Sequence, residues 1–502
     1  MWSTVFGLSW DYIWGYDINV EYFSANQVLA KGYWDMSVAA GYNSVASVNL
    51  LAPILSLVLN INIIPLFKVI YPLIFSLVPV ILLKAYERLL GRKVWAEFSI
   101  LFFIFLFTFF TEMMALARQM IAEVYLAFLV YATLKKMNPI LLTLFLVSLA
   151  ISHYATAYLT MFALLPLLFL SITKQEKKVN NVNIALFSIL TLFWYQNTGG
   201  GIEFHNLVNI GYETLLMMSD ILNPQFSQGL GIIMGGTTFT RELAKWINLI
   251  AQGLITMGIL TIFYRILLKH EQTKEHLEFY VISLAFFAYD VAGIVLPLFA
   301  NRLNATRLYQ LTLFFLSPYF IIGAVATIKF LHGRLKRFLK VNELRSDSII
   351  KIIAVFLLVY FLFNSGFVLV VAQDPQPPQW LDKIHSPSWS IQEVLGAKWI
   401  AHHKQSDSII YLGESKFPLF LGFGINTISF GKEPEVEGIK DYKSLIYLGK
   451  DTIFKGEIQS VYSDVGGVPK SVFLKIRETK LWKQLLNSNI VYSNNQVLVY
   501  NK

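Results

Sequence analysis

Long apolar segments dominate this sequence, and few folds can accommodate so many of them. Each approaches the roughly 20 residues that a helix needs to cross the hydrocarbon core of a bilayer. Ten such segments lie at 63–84, 95–111, 117–134, 139–153, 155–173, 182–196, 246–268, 278–299, 308–330 and 349–371. Segments of this length predict helices rather than barrel strands, which span a bilayer with about ten residues. The sequence therefore predicts a polytopic α-helical membrane protein.

The composition excludes most functions of soluble proteins. The chain has 502 residues, of which 55% are hydrophobic and 15% are charged, whereas soluble proteins carry about 25% charged residues. The formal net charge is +9. Because the basic residues cluster in short loops between the apolar segments, nucleic acid is not an expected partner. Cysteine is absent, which excludes disulfides and thiolate metal sites.

Loop charge predicts the orientation, because cytoplasmic loops of membrane proteins carry an excess of lysine and arginine. Residues 1–48 and the large loop 197–244 are expected to face outward from a cell membrane that the chain crosses many times. The apolar stretch 46–60 is expected to be a re-entrant or interfacial helix. Ten spans that start outside also predict a further helix upstream of this sequence. The basic loops, which alternate with loops that have few bases, lie at 84–93, 135–136, 174–178, 265–274 and 334–345.

The strongly hydrophobic character ends after residue 371. Asp374-Pro375-Gln376-Pro377-Pro378 is interpreted as a linker stiffened by proline. The residues beyond it show helical and strand-like patterns, for example in Asn489-Ile490-Val491-Tyr492. We therefore expect a transmembrane bundle over 1–371 and a small extracytoplasmic α/β domain over 372–502.

Two acidic residues near the N-terminus, Asp17 and Glu21, are the first candidates for chemistry. Their spacing of four residues places them on one face of a helix. A carboxylate there is suited to take a proton from an acceptor hydroxyl. At Asp17 it is also suited to hold a hard divalent cation such as Mg²⁺ or Mn²⁺. The alternative is a pair of solvated loop carboxylates.

Glu112 and Arg118 lie at a predicted outer turn, and Glu123 lies inside the next apolar segment. Ionisable side chains this close to hydrocarbon are costly unless they are paired or hydrated. They are interpreted either as substrate-binding and catalytic groups or as a structural ion pair, Glu112–Arg118 or Arg118–Glu123. Asp290, inside another apolar segment, is interpreted as a proton or ion relay or as a buried hydrogen-bonding group.

His153, Arg302 and Arg307 map to further outer helix ends. Arginine binds phosphate bidentately and keeps its charge, so Arg302 and Arg307 are candidates for binding a lipid phosphate. Their alternative role is to reach lipid headgroups from the helix ends. His153 is a candidate substrate-binding residue or an interfacial anchor. Glycine clusters in the loop 197–244 are expected to be hinges of a mobile loop that covers substrate.

Motifs spread over nearly the whole chain resemble those of one archaeal family. The motifs are Gly15-Tyr16-Asp17-Ile18-Asn19-Val20-Glu21-Tyr22, Tyr42-Asn43-Ser44, Thr111-Glu112-Met113, Ala117-Arg118-Gln119-Met120-Ile121-Ala122-Glu123, Ser152-His153-Tyr154, Leu303-Asn304-Ala305-Thr306-Arg307 and the closing Ile490-Val491-Tyr492-Ser493-Asn494-Asn495. The family is DUF2206, a group of multi-spanning membrane proteins. Its layout is similar to that of the GT-C glycosyltransferases.

The resemblance implies a GT-C-like transmembrane bundle. Enzymes of that class place an essential acidic residue in the first outer loop, which Asp17 matches, and a second in a later outer loop, which Glu112 matches. They also place basic residues near the phosphate of the donor, and Arg307, with its neighbour Arg302, is the best match. This sequence departs from the pattern in lacking the helix before the first outer loop.

The expected function is transfer of a sugar from a polyprenyl-phosphate-type lipid donor to an extracytoplasmic glycan, lipid or protein acceptor. The partners implied are the lipid-linked donor, that acceptor and the lipids of the cell envelope membrane. A transporter or flippase of lipid-linked sugars is the main alternative. It would predict inverted repeats, and none is apparent in the sequence. A non-catalytic envelope-assembly protein is the third interpretation.

Overall fold

The chain forms two compact units. The computed structural model describes residues 12–169, 177–235, 238–268, 273–300, 304–338, 345–374, 389–429, 444–463 and 469–501. What we call the helical unit comprises Asp35–Leu51 and Val69–Pro378, and the sheet unit comprises Met1–Trp34, Ala52–Lys68 and Gln379–Lys502. The sequence predicted a domain boundary at 371/372. It did not predict that N-terminal segments group with the C-terminal residues.

Within the described residues, the helical unit is built almost entirely from α-helices. Its main helices are Tyr71–Phe75, Leu77–Leu90, Lys93–Ile104, Phe107–Phe110, Ala117–Leu134, Pro139–Ser152, Tyr154–Leu164, Pro166–Phe169, Asn181–Asn197, Ile202–Leu216, Gln228–Met234, Phe239–Leu268, Leu277–Val295, Ala305–Phe338, Ser346–Asn364 and Phe367–Val371. A 3₁₀ turn, Gly41–Ser44, and a π-helical turn, Ser47–Leu51, precede them.

Within the described residues, five helices are long and apolar enough to cross a membrane. They are Ile63–Leu90, Phe239–Leu267, Leu277–Val295, Ala305–Arg334 and Ser346–Asn364. A sixth span results if Lys93–Ile104 and Phe107–Ala115, which are bent by 70°, count as one. These correspond to six of the ten predicted segments, so the predicted number of spans is confirmed only in part.

The other four predicted spans are not among these helices, and the reasons are local. His153 adopts an extended backbone, with φ −159° and ψ 119°, and this separates Pro139–Ser152 from the next apolar helix. The resulting helix of 14 residues is about 21 Å long, which is shorter than the hydrocarbon core. Arg118 and Glu123 lower the hydropathy of Ala117–Leu134. The stretch 46–60 is the short apolar helix Ser47–Leu59, and its re-entrant or interfacial placement stays a prediction.

Two long helices cross at glycines in the centre of the helical unit. A Cβ atom at Gly258 would overlap the backbone of Tyr319, and one at Gly323 would overlap the backbone of Leu254. Small residues allow helix backbones to approach closely in membranes. The helix Ala305–Phe338 is thereby fixed against Phe239–Leu268, and this positions the residues at its N-terminal end.

The segment 197–244 is not the open loop that the sequence predicted. It contains the helices Ile202–Leu216 and Gln228–Met234 and the start of Phe239–Leu268. Gly199, Gly200 and Gly201 have left-handed φ values of 60°, 67° and 71°. A Cβ at Gly200 would lie 2.8 Å from the Cβ of Ala39. These glycines therefore form a close-packed junction, and their role as hinges stays a prediction. The second glycine cluster of this segment includes Gly236, which lies outside the described residues.

The sheet unit contains a five-stranded mixed sheet. Its strands, in spatial order, are Ile428–Ser429, Ile409–Leu412, Ser444–Leu448, Val497–Asn501 and Asn489–Asn494. The first three are parallel to one another. Val497–Asn501 pairs antiparallel with Ser444–Leu448, and Asn489–Asn494 pairs antiparallel with Val497–Asn501. Glu457–Ser463 and Pro469–Lys475 form a separate hairpin. The prediction of a small sheet in the C-terminal region is confirmed.

Helices complete the sheet unit. Ile391–His403 begins with a capping box formed by Ser390 and Glu393, which satisfies the first free backbone N–H groups of the helix. The other α-helices described in this unit are Asp17–Lys31, Ala52–Leu59, Ile63–Pro65, Phe417–Gly422, Lys450–Lys455 and Lys480–Leu485. Asp17–Lys31 packs against Phe417–Gly422. Part of the segment predicted as the first outer loop is therefore helical.

Candidate functional site

A carboxylate, a hydroxyl and a guanidinium meet where the helix Ala305–Phe338 begins. The Thr306 hydroxyl lies 2.9 and 3.1 Å from the two carboxylate oxygens of Glu112. The Arg307 Nε lies 3.4 Å from Glu112 Oε2. The Arg307 and Glu112 side chains are 28% and 22% exposed, so both are accessible to a ligand. We call Glu112, Asn304, Thr306 and Arg307 the Glu112 site.

Asn304 shapes the start of this helix. It adopts a left-handed φ of 64°, which asparagine tolerates better than most residues. Its side-chain oxygen accepts a hydrogen bond from the backbone N–H of Thr306 at 3.1 Å, and the backbone N–H of Ala305 donates to Gln228 Oε1 at 2.9 Å. The local sequence thus caps the helix and places Thr306 and Arg307 in its first turn.

The pairing of Glu112 differs from both predicted ion pairs. Glu112 pairs with Arg307 rather than with Arg118, and Glu123 accepts hydrogen bonds from the neutral side chains of Gln119 and Gln310 at 2.9 Å each. The predicted Glu112–Arg118 and Arg118–Glu123 ion pairs are therefore wrong as structural interpretations. The reason is local, because Arg118 lies in the first turn of its helix and stacks on aromatic rings instead.

Arg118 lies at the centre of a buried aromatic group. Its guanidinium carbon lies 4.5 Å from the ring centroid of Tyr42 and 5.8 Å from that of Tyr154. Tyr195 lies 6.2 Å from Tyr154, and Tyr158 lies 5.4 Å from Tyr195, measured between ring centroids. We call these four tyrosines, with Arg118, the tyrosine cluster. Arg118 is only 4% exposed, and the cation–π contacts help to stabilise its buried charge.

Glu203 joins this cluster and was not predicted from the sequence. Burial raises the pKa of its carboxyl, while a hydrogen bond from Asn206 and the positive charge of Arg118 oppose that rise. The carboxylate occupies the space that a side chain at Gly41 would fill. The only signal in the sequence is an acidic residue directly after three glycines and an isoleucine. That signal gives no indication of the contact with residue 41.

His153 lies beside the tyrosine cluster at the break between two helices. Its ring is 4.9 Å from that of Tyr154, and its Nδ1 lies 2.8 Å from the Thr156 hydroxyl. The side chain is 5% exposed. The structure therefore brings together Arg118 and His153 through Tyr154, and Glu112 with Arg307, as two separate groups.

The acidic pair near the N-terminus lies in the sheet unit. Asp17 is the first residue of Asp17–Lys31 and is half-buried, whereas Glu21, one turn further on, is fully buried. Burial, followed by the charges of Glu414 and Asp17, raises the pKa of the neighbouring Tyr16 to about 12. Arg302 lies outside the described residues.

Comparison with known proteins identifies the family. The family described as "Predicted membrane protein (DUF2206)" matches residues 138–500. This chain belongs to DUF2206. Among solved structures, the crystal structure of the Archaeoglobus fulgidus oligosaccharyltransferase in complex with Zn and sulfate is similar, with a TM-score of 0.47 and 10% identity. The alignment covers 96% of the DUF2206 chain and 72% of that protein. No curated protein sequence matches.

A divalent cation does not fit the Glu112 site of this DUF2206 protein. Across the described ranges, no three His, Cys, Asp or Glu side chains come together as a metal-binding group. Both oxygens of Glu112 already face a hydroxyl, and one also faces a guanidinium, which would repel a cation. A cation held by Asp17 in the sheet unit stays a prediction.

Basic residues of the DUF2206 chain gather at the opposite helix ends. Lys136, Lys177 and Lys178 line a pocket of about 290 Å³ together with residues that begin Pro139–Ser152 and Asn181–Asn197. The other ends of these two helices lead to His153 and to Gly199. The helices therefore separate a lysine-rich end from the end that carries the tyrosine cluster.

Proposed function

We propose that the protein is a membrane-embedded glycosyltransferase that moves a sugar from a polyprenyl-phosphate-type lipid donor to an extracytoplasmic glycan, lipid or protein. The observation that carries the proposal is the Glu112 site, where an accessible carboxylate and an accessible guanidinium meet at a helix N-terminus. Arg334 and Lys336 lie near the other end of the same helix. Because basic residues collect on the cytoplasmic side of membrane proteins, Arg334 and Lys336 favour a cytoplasmic position for their end of the helix and an outward-facing position for the Glu112 site.

The N-terminal end of Ala305–Phe338 is suited to bind the donor phosphate. Arg307 provides a permanent positive charge and two parallel N–H donors. The helix N-terminus adds a partial positive charge in the same place. A phosphate bound there competes with Glu112 for Arg307, and the carboxylate is then left with Thr306 as its hydrogen-bond donor.

Transfer then follows as a direct displacement with inversion. A carboxylate takes the proton of the acceptor hydroxyl as that oxygen forms its bond to the anomeric carbon of the sugar. The bond between the anomeric carbon and the phosphate oxygen breaks, and the phosphate keeps the electron pair. Arg307 stabilises the charge that develops on the phosphate. The resemblance to GT-C enzymes supports two candidates for this carboxylate, Asp17 and Glu112.

Arg118 and His153 are assigned to positioning the site. Both are at most 5% exposed, so their side chains are not available to a ligand in this conformation. Arg118 instead connects the turn that contains Tyr42 to the helix that contains Tyr154. Glu21, which is fully buried, is likewise assigned a structural role rather than a role in the reaction.

A transfer assay with a lipid-linked sugar on membranes tests the proposal. Glu112→Gln keeps the shape of the side chain and its bond to Thr306 but removes the charge. We expect transfer to fall by at least about 10²-fold, the lower end of what a general base contributes. Asp17→Asn should cause a loss of the same order.

Asp374 provides a matched control for Glu112→Gln. Its carboxylate also accepts hydrogen bonds from threonine hydroxyls, those of Thr238 and Thr240, and also pairs with an arginine, Arg241, at 3.4 Å. Unlike Glu112 it is only 1% exposed. Asp374→Asn should leave transfer near the parent rate. Equal transfer by Glu112→Gln and the parent protein would mean that Glu112 only joins two helices.

A further inference from the structure

Asp290 lies inside the helical unit, and the proposed reaction does not use it. It belongs to the helix Leu277–Val295 and is 6% exposed. Its Oδ1 lies 2.7 Å from the Thr312 hydroxyl, and the Gln252 side-chain amide donates to its Oδ2 at 3.1 Å. Among the described residues its partners are thus neutral.

The hydrogen bonds around Thr312 require one more proton than the neutral threonine and an ionised Asp290 provide. The Thr312 hydroxyl oxygen lies 2.7 Å from Asp290 Oδ1 and 2.8 Å from the backbone carbonyl oxygen of Tyr309. A hydroxyl has one hydrogen to donate, while a carbonyl oxygen and an ionised carboxylate only accept. One of the two short contacts would therefore lack a hydrogen if Asp290 were ionised.

A protonated Asp290 satisfies both contacts at once. Its own O–H donates to the Thr312 oxygen, and the Thr312 hydroxyl then donates to the carbonyl of Tyr309, a common geometry for threonine in helices. The energetic argument agrees, because an isolated carboxylate inside a membrane protein is far more costly than a neutral carboxylic acid. Glu112 provides the contrast. The Thr306 hydroxyl also faces a carboxylate and a second acceptor, Asn304 Oδ1 at 2.7 Å, but Glu112 is partly exposed and has Arg307 as a cationic partner that favours its ionised form.

We propose that Asp290 is a proton-binding site within the helical unit and holds a proton at neutral pH. Its titratable neighbours are consistent with a site of this kind. Tyr309 is near enough to Asp290 and to Tyr360 to interact electrostatically with both. The hydroxyls of both tyrosines are buried and have no hydrogen-bond partner within the described part of the chain. Glu123 is bound by the neutral amides of Gln119 and Gln310, and Gln310 lies on the same helix as Thr312.

Infrared difference spectroscopy on the membrane-reconstituted protein tests this assignment directly. A protonated carboxylic acid has a C=O stretch that is well separated from the bands of ionised carboxylates. The spectrum of the parent protein minus that of Asp290→Asn at neutral pH should contain this acid band. The matching difference for Glu112→Gln should contain only carboxylate bands. Loss of a carboxylate band in Asp290→Asn, with no acid band, would overturn the proposal.

Thr312→Val keeps the test decisive if Asp290→Asn does not fold. Valine has nearly the same shape as threonine but cannot accept the hydrogen bond from Asp290. The acid band should then remain and move to higher frequency, as expected for a carboxylic acid that loses its acceptor. An unchanged acid region in Thr312→Val would show that Thr312 does not accept a hydrogen bond from Asp290, which contradicts the proposal.

Discussion

At the scale of single residues, substitutions of Arg307 distinguish a catalytic role from a role in contacting lipid headgroups. A departing phosphate gains negative charge as the glycosidic bond breaks, so a fixed guanidinium stabilises the transition state more than the ground state. Removing a comparable charge-stabilising donor costs about 10²–10³ in rate. We expect Arg307→Ala to lower transfer by that factor, and Arg307→Lys to give an intermediate rate because lysine keeps the charge but loses the bidentate geometry.

Arg241→Ala is the control for Arg307→Ala. Arg241 pairs with Asp374 at the distance that separates Arg307 from Glu112, 3.4 Å, and has a similar exposure of 24%. The lipid-linked sugar assay should show a parent-like rate for Arg241→Ala, and folding should be compared by size-exclusion profile. Transfer at the parent rate by Arg307→Ala would instead assign Arg307 to lipid headgroups.

Glu203 predicts a pH dependence of stability. Burial raises the pKa of Glu203 in the folded protein above the value of about 4.3 of an exposed glutamate. The folded state therefore binds more protons than the unfolded state between these two values, and the free energy of unfolding decreases as pH rises through that window. Glu203→Gln should remove this decrease and raise the melting temperature at neutral pH.

Thermal melts of the parent, Glu203→Gln and Glu213→Gln over a pH series would measure the effect. Glu213 lies on the same helix, Ile202–Leu216, and is half-buried rather than buried. Its substitution should leave the pH dependence in place. A parent protein whose stability rises with pH across this window would contradict the prediction.

The sequence identifies single site residues better than it identifies their partners. Glu112 and Arg307 each stand out because charges at predicted helix ends are costly. Their pairing depends on how Ala305–Phe338 packs beside a bent helix pair, and no local pattern encodes that. Glu203 was missed for the same reason, because its environment exists only once its helix lies against Gly41.

At the scale of elements, the glycine junction at 199–201 gives a direct stability test. Gly200 has a left-handed φ of 67°, and an added Cβ would lie 2.8 Å from the Cβ of Ala39. Gly200→Ala combines backbone strain with this clash, so we expect a loss of about 1–3 kcal/mol. A Cβ at Gly211, inside the following helix, would meet no atom within 4 Å.

Gly211→Ala is therefore the matched control and should stabilise the protein by about 0.5–1 kcal/mol, the usual difference between glycine and alanine in a helix. The melting temperatures of the two variants should move in opposite directions. A Gly200→Ala variant as stable as the parent would mean that the junction is mobile, as the sequence alone had suggested.

Hydrophobic length predicts elements well only where helices are regular. The five helices with spanning length and composition coincide with predicted segments. The prediction fails at His153, where an extended residue interrupts an apolar run, and in 197–244, where polar and glycine residues conceal two helices. Apolar periodicity does not register a single extended residue, so such breaks become visible only in the structure.

At the scale of the whole molecule, the sheet unit is discontinuous in sequence. The ring of Tyr16 stacks on that of Phe417 at 6.3 Å, and Trp14 Nε1 donates to the carbonyl of Trp389 at 3.2 Å. The sequence shows a change of composition near residue 371 but gives no sign of these long-range contacts. Grouping by hydropathy therefore assigned the helix Asp17–Lys31 to the bundle.

The absence of cysteine from the sequence allows the predicted topology to be tested with single introduced cysteines. Lys135 and Asn197 are exposed positions at opposite ends of the helices Pro139–Ser152 and Asn181–Asn197, and Lys483 is exposed in the sheet unit. Because lysine-rich loops stay in the cytoplasm, a membrane-impermeant maleimide added to intact cells should label Asn197→Cys and Lys483→Cys. It should label Lys135→Cys only after permeabilisation. The opposite pattern would invert the topology and place the Glu112 site on the cytoplasmic side, where an extracytoplasmic acceptor cannot reach it.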